Sequence, residues 1–364
     1  MEHIEKFRNP DYIKALVLQI HTVSKKIKKE VKLMEVCGTH TMAIARWGIR
    51  KMLPENVSLI SGPGCPVCVT PNQFIDTAIE ISKLGNVKIA TFGDMYRVPS
   101  GKKSLEKQSA NGAVVDIVYS PLDALKIAEK NPEKKIVFLA VGFETTSPLT
   151  AKVILYARNR KLKNFFVLSG HKLIPPAMVA LVKDKTHHID GFLCPGHVSA
   201  IIGSEPYRVF PNNYGVPCVI SGFEVCDILQ SILMLLEMIC GKRKLSVEIQ
   251  YTRCVLRYGN TVAQKIIAEV FNVVDVDWRG IGMIEQSGLA INRKFTEFDA
   301  FSNFKLDVKI SSEAKSCICG QILKGLKTPL DCKLYRRLCT PESPIGPCMV
   351  SSEGTCAAYY NYER

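Results

Sequence analysis

Three groups of cysteine carry the chemistry open to this sequence. Cys37-Gly-Thr-His40 sets an imidazole three residues after a thiol, and Gly62-Pro-Gly-Cys65-Pro-Val-Cys68 holds a C-x-x-C between glycine and proline. The third group, Cys317, Cys319, Cys332, Cys339, Cys348 and Cys356, fills the stretch from residue 317 to the end. Thiolates at short, uneven spacings suit iron clusters and soft metals, and C-x-x-C suits a redox thiol pair or half a zinc site. A disulfide-stapled scaffold would be a short secreted chain, whereas this one has 364 residues and fourteen cysteines.

Each group has competing readings. A helix starting near Gly38 would lower the pKa of Cys37 through its free amides; otherwise Cys37 is a buried strand cysteine and Thr39 a cap. Cys65 and Cys68 form a redox pair, join Cys37 and His40 in a Cys3His zinc site, or are inert. A [4Fe–4S] cluster takes four of the six C-terminal thiolates and leaves two, as would zinc, and composition favours the cluster. Gly142-Phe-Glu144-Thr145-Thr146 and Pro195-Gly-His197 are weaker signals, because carboxylates after strands commonly cap helices. The apolar surroundings of Cys194, Cys218, Cys226, Cys240 and Cys254 place them in the core.

From Val31 to about Gly241, short β-branched runs alternate with amphipathic segments, the pattern of parallel sheets flanked by helices. The strands expected are Val31–Val36, Val57–Ile60, Val87–Thr91, Val114–Tyr119, Lys135–Val141, Phe165–Leu168, Gly191–Cys194 and Pro217–Ile220. Glu35–Thr41 is echoed by Ala140–Thr146, and Leu59–Pro63 by Val167–His171, which suggests two similar α/β domains of four strands each. The expected organisation is a helical segment 1–30, free to pack on the C-terminal domain, then α/β domains 31–130 and 131–241. A cysteine-rich third domain, 242–364, completes it. Pro10 to Lys32 reads as one helix, and Val262, Ile266, Ile267, Val270 and Phe271 recur at helical spacing. All upstream motifs follow strands, on the edge where open α/β sheets bind ligands.

The net charge of +14 comes from scattered lysines rather than a basic stripe. That favours acidic protein partners over nucleic acid. The N-terminus has no apolar signal core, and the longest apolar runs are too short or too interrupted to span a bilayer; Ile228–Cys240, for example, contains Gln230, Ser231 and Glu237. A soluble, cytoplasmic protein with no membrane segment is expected.

The chain resembles the HypD family of hydrogenase maturation factors along essentially its whole length. The resemblance rests on Cys37–His40, Gly62–Cys68, Gly142–Thr146, Pro195-Gly-His-Val-Ser199, Gly222-Phe-Glu224 with Asp227-Ile-Leu229, and the ending Cys348–Ala358. It implies two related α/β domains and a [4Fe–4S] domain. The same resemblance implies that the chain joins a small chaperone, HypC, to hold the iron that becomes the Fe(CN)2CO group of [NiFe]-hydrogenase. Cyanide would arrive from HypE as a protein thiocyanate. By the same resemblance Cys37 ligates this mononuclear iron, with the N-terminal cysteine of HypC, and His40 orients it or moves a proton. Cys65 and Cys68 are the thiol pair for reductive cyanide release; Glu144, Thr145 and His197 bond cyanide or protonate intermediates. Cys317, Cys332, Cys339 and Cys356 hold the cluster, and Cys319 and Cys348 form a nearby redox disulfide. The competing reading is a stand-alone cluster-dependent thiol–disulfide oxidoreductase. A zinc-stabilised nucleic-acid module is a third.

Overall fold

A computed structural model describes residues 6–184, 186 and 188–363. Residues 1–5 of the expected N-terminal segment, and 185, 187 and 364, lie outside the described residues. All eight expected strands form: β1 (Val31–Glu35), β2 (Val57–Ser61), β3 (Val87–Thr91), β4 (Val115–Ile117), β5 (Lys135–Gly142), β6 (Phe165–His171), β7 (Gly191–Pro195) and β8 (Cys218–Ser221). β5 is the plainest case, since Ile136 to Val141 are all buried, as a parallel strand covered on both faces requires.

The strands do not pair in sequential halves. One parallel sheet runs β2-β1-β7-β8-β9, its last strand being β9 (Val247–Ile249); the other runs β4-β3-β5-β6. The chain thus builds two strands of the first sheet, completes the second, and returns. Hydrophobic pattern encodes burial and not the neighbour, so it revealed the strands without their partners. The first sheet has five strands rather than four, and sheet membership cuts across residue 130.

Two further expectations change. Asn9 caps α1 (Pro10–Ser24) by accepting from the Asp11 and Tyr12 amides, but the helix stops at Ser24 rather than Lys32. Lys25, Lys26, Lys28 and Lys29 follow, offering no apolar face and mutual repulsion. Leu16, Ile20 and Val23 of α1 are buried with α8 (Val225–Ile239) of the five-stranded sheet, and not with the cysteine-rich segment. The intervening helices include α2 (Gly38–Arg46), α3 (Asn72–Ser82), α4 (Pro121–Lys130), α5 (Ser147–Asn159), α6 (Ile174–Lys183) and α7 (Gly196–Ile202).

Beyond residue 242 the predicted helix is α9 (Thr261–Val270), followed by an unanticipated antiparallel hairpin, β10 (Phe271–Trp278) and β11 (Gly282–Ile291). The hairpin lies on β6, and Leu289 enters the core beneath the four-stranded sheet. The cysteine-rich stretch ends in α10 (Thr355–Tyr362), which packs on α2. Cys194, Cys218 and Cys226 are buried as expected, whereas Cys240 is half-buried at the end of α8 and Cys254 is exposed. Among the described residues no helix is long and apolar enough to cross a membrane.

Candidate thiol and metal centre

A cleft of about 570 Å3 opens at the carboxyl ends of the sheets, lined by loops after β1, β2, β3, β5 and β7. Cys37, Thr145, His197, Asp94, Tyr119 and Glu353 face it. Cys37 ends the β1 loop and caps α2 with extended backbone. Gly38 N donates to Gly64 O at 2.9 Å, tying this loop to the one that carries the C-x-x-C.

Of the two readings of Cys37, the buried cysteine describes it. The helix begins at Gly38 as predicted, and the amides of His40 and Thr39 do favour the thiolate. Burial, then the carboxylates of Glu353 and Glu35, override them and push the thiol up to about 12. Glu35 is itself buried and pushed up to about 7 by desolvation. It accepts from Thr41 Oγ1 at 2.6 Å and from the Cys37 amide at 3.2 Å. Burial likewise raises Glu353, which accepts from Thr39 Oγ1 at 2.7 Å. A metal cation would replace the proton on such a thiol, since metal binding and deprotonation are coupled.

His40 is behind the cleft wall, with Nε2 at 2.9 Å from Gly222 O and Nδ1 buried without a partner among the described residues. Burial lowers it to about 4. Its ring contacts Phe223 at 4.8 Å between centroids, and His197 stacks on the same Phe223 at 4.1 Å. Burial also lowers the His197 pKa. Phe223 sits in a loop fixed by Asp227, whose side chain accepts from Glu224 N, Gln250 Nε2 and Arg253.

Glu144 does not reach the cleft, although Thr145 and Thr146 do. Its Oε1 accepts from Ile174 N at 3.0 Å, capping the start of α6, and burial raises it to about 7. The helix-capping alternative therefore describes this carboxylate. Cys65 and Cys68 lie just under the cleft floor, which Gly64, Pro66 and Val67 form. Cys65 Sγ accepts from Cys68 N at 3.3 Å at the head of the helical turn Pro66–Val69. The Cys3His zinc arrangement is absent, because His40 turns to Gly222; among the described residues no three potential donors are placed around a single ion.

Cys68 instead lies beside Cys348, and Cys348 Sγ lies 2.9 Å from Cys319 Sγ. Cys317 lies next to Cys319 on the same cavity wall. A line of thiols thus runs from beneath the cleft into the C-terminal segment. There all six C-terminal cysteines line one small cavity, with Ile322, Leu334, Tyr335 and Met349 among the other walls. A single ion needs donors converging on a point. A cubane takes one thiolate per iron, so its ligands ring a space, and an apolar cavity ringed by six thiols fits that group.

Comparison with known proteins gives the family. The HypD family, described as "Hydrogenase formation hypA family", matches residues 11–363. The chain belongs to the HypD family of hydrogenase maturation factors. It is 46% identical to the hydrogenase maturation factor HypD of Azotobacter vinelandii, over 100% of this chain and 97% of that protein. The like-named protein of Cupriavidus necator is 44% identical (100% and 98%), and that of Escherichia coli K12 41% identical (100% and 99%).

Several residues of this HypD-family site escaped sequence reading. Glu35 and Glu353 flank Cys37 from segments more than 300 residues apart, and no spacing signals such a meeting. Phe223 lies inside the Gly222-Phe-Glu224 motif, yet aromatic residues after strands are commonplace. Only the fold reveals that two histidines share it.

Proposed function

We propose that this hydrogenase maturation factor is a redox-active scaffold that, with a HypC-like chaperone, holds iron at Cys37 while cyanide from a HypE-like donor and carbonyl are added. The observation that carries the reading is the line Cys65–Cys68–Cys348–Cys319, which joins the underside of the Cys37 cleft to the six-cysteine cavity. A lone thiol in a 570 Å3 cleft leaves most coordination positions of the cargo iron for a partner's cysteine and small ligands. Thr145 and His197 line that cleft and would hydrogen-bond cyanide nitrogen. His40 orients the site from behind through Phe223.

Cleaving a protein thiocyanate to thiol and hydrogen cyanide takes two electrons and two protons. Oxidation of Cys65 and Cys68 to a disulfide supplies both. Exchange with Cys348 and Cys319 then restores the first pair as thiols and leaves the second as a disulfide. Cys317, Cys332, Cys339 and Cys356 would hold a [4Fe–4S] cluster, which supplies single electrons when bound. The basic surface, net +14, favours encounter with acidic partners in the cytoplasm.

The test is anaerobic co-purification with the HypC-like chaperone, followed by iron analysis and infrared spectroscopy. Bound cyanide and carbonyl bands that vanish in Cys37→Ala support the scaffold. Turnover of a dithiol substrate without any chaperone, and no mononuclear iron, would support the stand-alone oxidoreductase instead.

A further inference from the structure

A second pocket, of about 450 Å3, opens beside the cysteine-rich segment and shares no lining residue with the Cys37 cleft. Its chemistry is set by Arg279, at the tip of the β10–β11 hairpin. The Arg279 side chain is nineteen-twentieths buried, at 5% exposure, and bonds to the neutral Asn72 Oδ1. Its Nε has no partner among the described residues. Burying a guanidinium with a free donor is costly unless an anion completes it. Lys107 and Lys315 add positive charge to the same walls, against the single carboxylate of Glu313.

The arginine is held there by close backbone packing. Gly280 has φ +75°, and a Cβ on it would fall 2.4 Å from Gly320 Cα; one on Gly320 would fall 2.7 Å from Gly280 O. The hairpin tip therefore locks onto the segment carrying Cys317 and Cys319, both of which line the pocket. Cys348 does not. An anion seated on Arg279 is thus brought to one sulfur of the Cys319–Cys348 pair and not the other.

We propose that this pocket binds a small thiol bearing an anionic group, carboxylate, sulfonate or phosphate, which reduces the Cys319–Cys348 disulfide from outside. This rests on the reading of that pair as a redox disulfide. The ligand thiolate attacks Cys319 Sγ, the Cys319–Cys348 bond breaks, and Cys348 leaves with the electron pair. A second ligand thiolate then attacks the ligand sulfur of the mixed disulfide, freeing Cys319 and releasing the ligand as its own disulfide. Two thiols are oxidised, one protein disulfide is reduced, and the two thiol protons pass to Cys319 and Cys348. Cys348, in contact with Cys68, is then ready to serve the cleft.

The test uses the full chain purified without oxygen. Ethanesulfonate, an anion lacking sulfhydryl, is titrated into the reduced protein by calorimetry. Binding should weaken at least about tenfold in Arg279→Gln and recover in Arg279→Lys, as expected for a charged hydrogen bond. After mild oxidation, reduction of the Cys319–Cys348 bond is followed by alkylation and peptide mass. Mercaptoethanesulfonate should react about tenfold faster per thiolate than neutral 2-mercaptoethanol, with the preference lost in Arg279→Gln. Absence of ethanesulfonate binding, or its survival in a folded Arg279→Gln, overturns the anion site. Equal rates for the two thiols overturn the reductant. An oxidised chain in which Cys319 and Cys348 never join overturns the disulfide reading and with it the thiol, while the ethanesulfonate result is read independently.

Discussion

Gly64 lies so close beneath Cys37 that a Cβ on it would fall 2.1 Å from the Cys37 amide nitrogen. The requirement is for proximity: the loop bearing the C-x-x-C and the loop bearing the cleft thiol touch backbone to backbone. Any side chain at Gly64 must push them apart, and with them the Gly38 N to Gly64 O bond.

Gly64→Ala should therefore cost about 3 kcal/mol of stability, in the range of severe backbone clashes, and loosen Cys37. Gly85→Ala is the matched control, because a Cβ there meets nothing within 4 Å. Its effect should stay within about 0.5 kcal/mol. Denaturant unfolding of both variants measures the difference, and equal midpoints would show that the two loops are not locked.

The two proposed metal sites should separate by mutation. Cys37→Ala is expected to lose non-cluster iron from the chaperone complex and keep the brown cluster absorption; Cys332→Ala should do the reverse to the cluster. Mössbauer spectra distinguish the two irons. Mononuclear iron undiminished in Cys37→Ala would remove that thiol from the ligand set.

Strand positions and the three cysteine groups were legible because they are local: β-branched runs read as strands, and short thiol spacings read as soft-metal or redox sites. What stayed hidden is non-local. Neither the return of β7 beside β1 nor the approach of Glu353 to Thr39 leaves any periodic trace. The choice between the two readings of Cys37 was open for a related reason. The helix N-terminus is visible in sequence, but the burial and the distant carboxylate that outweigh it are not.

Asp227 gives the Gly222-Phe-Glu224 motif a physical purpose. It accepts from the Glu224 amide, Gln250 and Arg253, and so fixes the loop presenting Phe223 to His40 and His197. Asp227→Asn keeps the shape but leaves Arg253 without its counter-charge. Because the Arg253 side chain is 37% exposed, a loss of about 1–2 kcal/mol is expected, less than for a fully buried pair. The histidine ring resonances should shift in nuclear magnetic resonance spectra, which a purely remote destabilisation would not cause. Unmoved His197 signals would uncouple the motif from the cleft.

Two buried groups outside the thiol centre should shape stability against pH. Burial raises Glu144 from 4.5 to about 7, so the folded state binds an extra proton between those values. Stability from this group is full below pH 4.5 and is lost as pH rises to about 7. Burial lowers Lys172 from 10.5 to about 7, against the opposing pull of Asp277, while its Nζ donates to Asp277 O at 2.6 Å. Here the unfolded state holds the extra proton, so stability from Lys172 is full above pH 10.5 and is lost as pH falls to about 7. These two contributions have opposite slopes on either side of neutrality, about 3 and about 5 kcal/mol at full extent. The contribution of Glu35, raised to about 7, falls over the same range as that of Glu144, while those of His40 and His171, lowered to about 4, oppose it. Glu144→Gln should therefore remove only its own share of the acid-side slope and Lys172→Met its own share of the alkaline-side slope, read from urea midpoints between about pH 5 and 10. A Glu144→Gln profile that still falls across the acid limb as steeply as the parent would show that this carboxyl does not titrate in the folded protein as its burial demands.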